Sequence, residues 1–174
     1  VGAGIGLVLS RAPAASAPDE HAAHDAHAVV PATRALGDTT IPASAGTAAG
    51  RLAKSPRHGE WVAIKLGATD SVMAWVVYPE RRDKAPVVIA IHENTGINTW
   101  TRAVAEQLAA DGFIGIAPDL TTMFRSGDLT ADPDRDAGRV AIRNVTAEMA
   151  NRIIDAVPKY GMSLAAAQAK HGII

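Results

Sequence analysis

The sequence contains no cysteine. Disulfides, thiolate-ligated zinc and a thiol nucleophile are therefore all excluded from these 174 residues. An excess of charge of one sign is lacking too: 17 Lys and Arg against 18 Asp and Glu leave a formal net charge of −1. That balance offers no basic footprint, the first requirement of a nucleic-acid partner. No long hydrophobic run is present. The apolar stretch at residues 1–9 falls far short of the ~20 residues that cross a bilayer, so stable membrane insertion is not expected. Internal repeats are missing as well. Asp132-Pro-Asp-Arg-Asp136 lacks the glycine and distal glutamate spacing of a calcium-binding EF-hand. What is present in quantity is apolar material, 48% of the chain, enough for a globular core.

The chain opens on Val1 with an apolar run to Leu9, followed by the small-residue tripeptide Ala15-Ser16-Ala17. This is the pattern of an export signal and its cleavage site, here without a positive leading segment. Residues 1–17 are read as a partial signal peptide, which places the protein outside the cytoplasm, in the periplasm or secreted. An Ala/Gly-rich disordered leader is the alternative. Residues 18–56 are rich in Ala, Pro, Thr, Ser and Gly with little periodicity, and read as a flexible linker. His21, His24 and His27 lie in it at three-residue spacing. A His-rich tract can bind metal weakly. A good site also needs an ordered outer shell, which a linker does not supply, so a solvated segment is the expectation. No metal or cofactor is expected anywhere in the chain.

Residues 57–174 read as one incomplete α/β domain. Trp61–Leu66 alternates and is rich in β-formers, Gly67–Asp70 is turn chemistry, and Val72–Tyr78 is a second β run stopped by Pro79. Together they predict an antiparallel hairpin. Pro86–His92 is an almost unbroken apolar run, as in a parallel strand covered on both faces. Asn98 caps a helix that carries Trp100, Ala103, Val104 and Leu108 on one stripe and ends at Gly112. Phe113–Ala117 is the next buried strand, which completes a βαβ unit. Residues 121–138 read as a polar, solvated loop. Thr146 caps a further helix bearing Met149, Ile153, Val157 and Tyr160, which Pro158 bends or ends. His171–Ile174 opens another strand.

The chemistry gathers after the strand at 86–92, in His92-Glu-Asn-Thr-Gly-Ile-Asn98. Active sites of open α/β sheets form beyond the carboxyl ends of strands. A charged Glu93 directly after a buried strand stands at that edge. The loop runs into a helix N-terminus, whose free amides favour an anion. These are the parts of an oxyanion hole, with donors aimed at the charge that develops on a carbonyl oxygen. Glu93 is equally readable as a loop residue at a helix dipole. The stretch is not a zinc-protease motif, because the second His is missing.

Three further segments go with it: Lys84–Asn98 as a whole, Val104-Ala-Glu-Gln-Leu-Ala-Ala-Asp-Gly-Phe113, and Ala117-Pro-Asp-Leu120. In this order and spacing they resemble the dienelactone hydrolase family. Ser55–Trp61 and Trp75–Pro79 look like its exported branch, so the likeness covers roughly residues 55–174. The resemblance implies an α/β-hydrolase fold and hydrolysis of a small lactone or carboxylic ester, of carboxymethylenebutenolidase-like type. It further implies a Cys nucleophile in a Gly-x-Cys-x-Gly elbow, assisted by His and Asp. Glu93 matches the family Glu that takes part in activating the nucleophile. Asn94 matches the residue whose backbone N–H contributes to the oxyanion hole. Arg125 lies in the loop where some members carry an Arg for a substrate carboxylate, although its spacing fits poorly and an exposed loop Arg is the alternative.

The departure from the family is that the nucleophile and its two partners are not among these residues. The reading is therefore a hydrolase fold truncated before its nucleophile elbow, a hairpin plus a βαβ unit, inactive by itself. The alternatives are an inactive truncated product and a non-enzymatic binding module built on the same scaffold.

Overall fold

The computed structural model describes residues 40–174. The export pattern, the His21–His27 tract and most of the linker lie outside them. A five-stranded mixed sheet forms the centre. Strands β1 (Gly59–Lys65) and β2 (Ser71–Val77) make the expected antiparallel hairpin, with Trp61 opposite Trp75. The next two strands in sequence are β3 (Ala85–Ile89) and β4 (Ile114–Pro118), and the last is β5 (Ala167–Ile173). The order across the sheet is β1-β2-β4-β3-β5. Strand β3 is interior and parallel to both neighbours, while β2 meets β4 antiparallel. All strands of the parallel portion therefore end at one edge.

Alternation of side chains divides the core in two. Val72, Ala74 and Val76 of β2 join Ile114 and Ile116 of β4 on one face, against Ile153 and Val157 of helix α4 (Ala147–Ser163). Val77 and Ala117 project to the other face, against Ala105 and Ala109 of helix α2 (Thr99–Ala110). A sheet covered on both sides explains why β3 and β4 are apolar at nearly every position. Gly115 lies on the α2 face. A Cβ there would stand 2.2 Å from the Ala105 carbonyl oxygen, so the absence of a side chain lets the helix backbone rest on the strand.

The helix ends follow from their sequences. The Asn98 side chain accepts from the Thr101 N–H at 2.9 Å, and that of Thr146 accepts from the Met149 N–H at 3.2 Å. Gly112 takes φ +93°, with its N–H on Ala109 and the Phe113 N–H on Leu108, a Schellman stop. Pro158 lies within α4, which continues to Ser163.

Three segments differ from the sequence reading. Within the described part of the linker, helix α1 (Ala48–Ala53) is ordered and packs on α2, with Ala48 fully buried beside Ala103. Its partner surface includes Glu106 and Gln107, two buried polar side chains outside the expected apolar stripe. Glu106 accepts from Ser55 Oγ at 2.7 Å and Arg57 Nη1 at 2.6 Å, and Gln107 Oε1 accepts from Arg51 at 2.8 Å. The polar loop contains a helix, α3 (Arg135–Ile142), because the Asp134 carboxylate caps the Asp136 and Ala137 amides at 3.1 and 3.0 Å. Strand β5 begins at Ala167, four residues ahead of His171.

Two glycines test this packing with opposite signs. Gly115→Ala is expected to destabilise by about 1–3 kcal/mol, because backbone must shift to admit a methyl group. Gly50→Ala, with nothing within 4 Å of the added carbon and a helical setting, is expected to stabilise by up to about 1 kcal/mol. Urea midpoints of the two variants measure both.

Candidate active site

Strand β3 ends at Ile89, short of the expected His92, and the chain leaving β3 and β4 carries two buried polar residues, His92 and Asp119, to the same edge of the sheet. Neither reaches water, so each must be satisfied internally. His92 Nε2 accepts the Leu120 N–H at 3.0 Å, and Nδ1 lies 2.6 Å from the Glu93 carbonyl oxygen. An acceptor Nε2 leaves the proton on Nδ1, so the ring is the neutral tautomer that donates to Glu93. Burial pushes the His92 pKa below its ordinary value, outweighing the Glu93 carbonyl and the Asp119 charge, which act the other way. His92 is therefore not the cationic half of a pair with Asp119, 3.6 Å away.

Asp119 is satisfied by Thr121 and Arg125. Its Oδ1 accepts from the Thr121 N–H at 3.0 Å and from the hydroxyl at 2.5 Å, while Oδ2 meets Arg125 Nη1. A second Arg125 nitrogen donates to the Ala131 carbonyl at 2.7 Å. Arg125 is thus no exposed loop residue. Its side chain is 9% exposed and its charge is committed to a carboxylate that is fully buried. It does not line the cavity that Glu93 and Asn94 face.

That cavity has a volume of about 500 Å³, and Glu93, Asn94, Thr95, Trp100, Asp132 and Arg135 are among the residues around it. Glu93 and Asn94 are both exposed. Among the described residues the Asn94 N–H meets no acceptor and neither Glu93 nor Arg135 has an ion-pair partner. The loop between them is held tightly. Gly96, at φ +81°, packs against Thr121 and Asp119. A Cβ on Gly138 of α3 would stand 2.1 Å from the Thr95 carbonyl oxygen. The loop is clamped between the end of β4 and a helix that the sequence does not announce.

Two amides at the start of α2 are already engaged: Asn98 takes the Thr101 N–H and Asp132 takes that of Thr99. Asp132 accepts from the Thr99 N–H at 2.8 Å and hydroxyl at 2.6 Å, and from Arg102 at 2.8 Å. Burial alone would raise its pKa, but these donors outweigh it and hold the carboxyl below its ordinary value. An anion at this helix terminus is thus supplied by the protein's own side chain, and the Asn94 N–H is among the loop amides left without an acceptor. Arg102 itself lies over both Trp61 and Trp75, at 5.7 and 5.8 Å from the ring centres, while the two rings meet edge to face. The arrangement offers, on one cavity, a carboxylate, an unengaged amide and a cation. Such a set can hold a polarised oxygen and an anionic substituent together. Asp119, Asp132 and Arg135 were not read from the sequence as site residues. The one local signal for Asp119 is its place directly after a buried strand, the same place that Glu93 approaches on β3.

Residues 72–173 match the model of the dienelactone hydrolase family. A provisionally named carboxymethylenebutenolidase of Salmonella typhi is 36% identical over 97 residues, covering 52% of this chain and 35% of that protein. A solved structure, a provisionally named dienelactone hydrolase from Klebsiella pneumoniae, has a TM-score of 0.56 at 20% identity over 68% of this chain and 49% of the other. A dienelactone hydrolase-like promiscuous phosphotriesterase from metagenomic libraries has the same score and identity, over 68% and 48%. That likeness carries the fold, an α/β-hydrolase sheet. The chain spans about a third of the curated relative's length and about half that of the two structures.

If Arg125 serves to hold Asp119, its removal strands a buried charge. Arg125→Met is expected to cost about 3–5 kcal/mol in urea unfolding. A surface Arg reserved for substrate would leave stability within about 0.5 kcal/mol of the parent.

Proposed function

The chain belongs to the dienelactone hydrolase family, and on that footing we propose that it is part of an enzyme hydrolysing a small lactone or carboxylic ester. The observation that carries this reading is the position of Glu93 and Asn94. They follow an interior parallel strand, on an open cavity, with β4 and β5 ending at the same edge. The reaction is acyl transfer through a covalent intermediate. A thiolate attacks the substrate carbonyl, the Asn94 N–H holds the oxyanion, and collapse to the thioester breaks the ester C–O bond and expels the alkoxide, which takes a proton and leaves as the alcohol (in a lactone it stays tethered to the acyl group). Glu93 takes part in activating the nucleophile, and water then releases the acid.

The nucleophile, its base and the orienting acid belong to parts of the protein other than these 174 residues. The absence of cysteine supports this for the nucleophile, and the chain's span of about half of the solved relatives supports it for all three. The Ile91 N–H bonds to the Ile174 carbonyl at 3.0 Å. A nucleophile carried beyond β5 would enter beside Glu93. Alone, the 174 residues are inactive, since loss of even one member of a catalytic triad removes most of the rate. Arg135 supplies the positive charge that an anionic substituent of the substrate would meet. We also propose export, on the pattern of residues 1–17, which the amino-terminal sequence of the protein isolated from cells would check.

The test uses a chromogenic ester and a lactone with the full-length protein. Turnover is expected, with kcat/KM reduced roughly 100-fold or more by Glu93→Gln and unchanged urea stability. The 174-residue chain is expected to show none. Full activity in Glu93→Gln, or turnover by the short chain, overturns the proposal.

A further inference from the structure

We infer that His92 is a positioning residue that aims the oxyanion donor, an inference that rests on the reading of Asn94 given above. The Glu93 carbonyl and the Asn94 N–H are two ends of one peptide group. The described residues contain no cis peptide bond, so that group is trans and planar, and its N–H points away from its C=O. His92 Nδ1–H holds the carbonyl at 2.6 Å, inside the sheet edge. The amide is thereby turned the opposite way, and no acceptor within the described residues takes it. The second ring nitrogen anchors the imidazole to the neighbouring strand end through the Leu120 N–H at 3.0 Å.

The Leu120 bond requires the neutral ring, whereas either form can donate to the Glu93 carbonyl. Protonation would place a hydrogen on Nε2 facing the Leu120 N–H, and the anchor would be lost. The groups around the ring are Glu93 through its carbonyl on the β3 side, and Asp119 and Arg125 on the β4 side. Asp119 favours a proton on the imidazole, and the Arg125 guanidinium paired with it opposes that pull. Burial opposes it too. The sign follows: the folded pKa lies below the ordinary 6.5, so the contribution of His92 is complete above that pH. It declines as pH falls through the folded value.

Three variants separate the two bonds. His92→Asn keeps a donor at the δ position and gives up the Leu120 anchor. His92→Gln reaches Leu120 but leaves the Glu93 carbonyl free. His92→Phe keeps volume and loses both. In the full-length protein, kcat on a chromogenic ester is expected to fall at least tenfold in the Gln and Phe variants. KM should stay within about twofold, and the Asn variant should recover most of the rate. A drop in kcat that follows stability, with Asn as poor as Phe, would overturn the proposal. A second measurement needs no turnover: nitrogen-15 NMR of the 174-residue chain above the ordinary histidine pKa of 6.5 should show His92 as the Nδ1–H tautomer. The Asn94 amide resonance should move in the Gln and Phe variants and hold in Asn. An Nε2–H tautomer, or an Asn94 amide indifferent to all three, sinks the inference whether or not any ester is hydrolysed.

Discussion

Parallel pairing of β3 with β4 imposes a demand that shapes everything at the functional edge. Both strands are covered on their two faces, and each is followed by a polar residue still inside that cover, His92 three residues past β3 and Asp119 directly after β4. A buried polar group without a partner costs more than the bond it could have made is worth. The chain meets the demand locally. The imidazole bridges the two strand ends, and Thr121 and Arg125 fold back within six residues to enclose Asp119. The loop after β4 is therefore fixed by the charge it has to neutralise. That in turn supplies the floor against which Gly96 packs.

A second layer of charge secures the opposite side. Asp132 caps the Thr99 amide of α2 and engages Arg102, whose guanidinium lies over both tryptophans of the hairpin. One side chain thus links the acidic loop, the helix and the first two strands. Each element of this chain of contacts has low intrinsic value at a surface. Their effect comes from partial burial, with Arg102 and Asp132 40% exposed or less, and from geometry that uses both oxygens of one carboxylate. The loop holds its shape through these pairs, and α3 can approach the Thr95 backbone closely because Gly138 has no side chain.

Much of the scaffold was legible because its signals are local. Apolar runs marked β3 and β4, and Asn98, Gly112 and Thr146 marked helix ends through bonds to residues three to five positions away. What escaped were interactions between distant residues. Glu106 looks like a solvent-facing position on α2 until Ser55 and Arg57, some fifty residues earlier, cover it. Helix α1 has too few large apolar residues to announce itself, and Ala48 is buried only because α2 is there to receive it. Arg125 was readable as a loop cation, but its commitment to Asp119 depends on the carboxylate being sealed beneath Leu120 and Thr121, which no local pattern reveals. Glu93 and Asn94 were legible by position alone, since a polar pair directly after a buried strand can only lie at the sheet edge.

The pairing pattern separates scaffold from site. The charges Asp119, Arg125, Asp132, Arg102, Glu106 and Arg57 are matched with one another, each pair tying two elements together. Glu93 and Arg135 have no ion-pair partner among the described residues, and both face the same cavity as the unengaged Asn94 amide. Other exposed charges, such as Lys65, Glu148 and Lys159, also lack ion-pair partners among the described residues; Glu93, Arg135 and the Asn94 amide differ in sharing one concave surface. Preorganised groups with free capacity are what transition-state stabilisation requires, because they need not be reoriented as charge develops. The matched pairs make that readiness possible: they hold the loop in place from both sides, so the groups that remain unpaired stay aimed at the cavity.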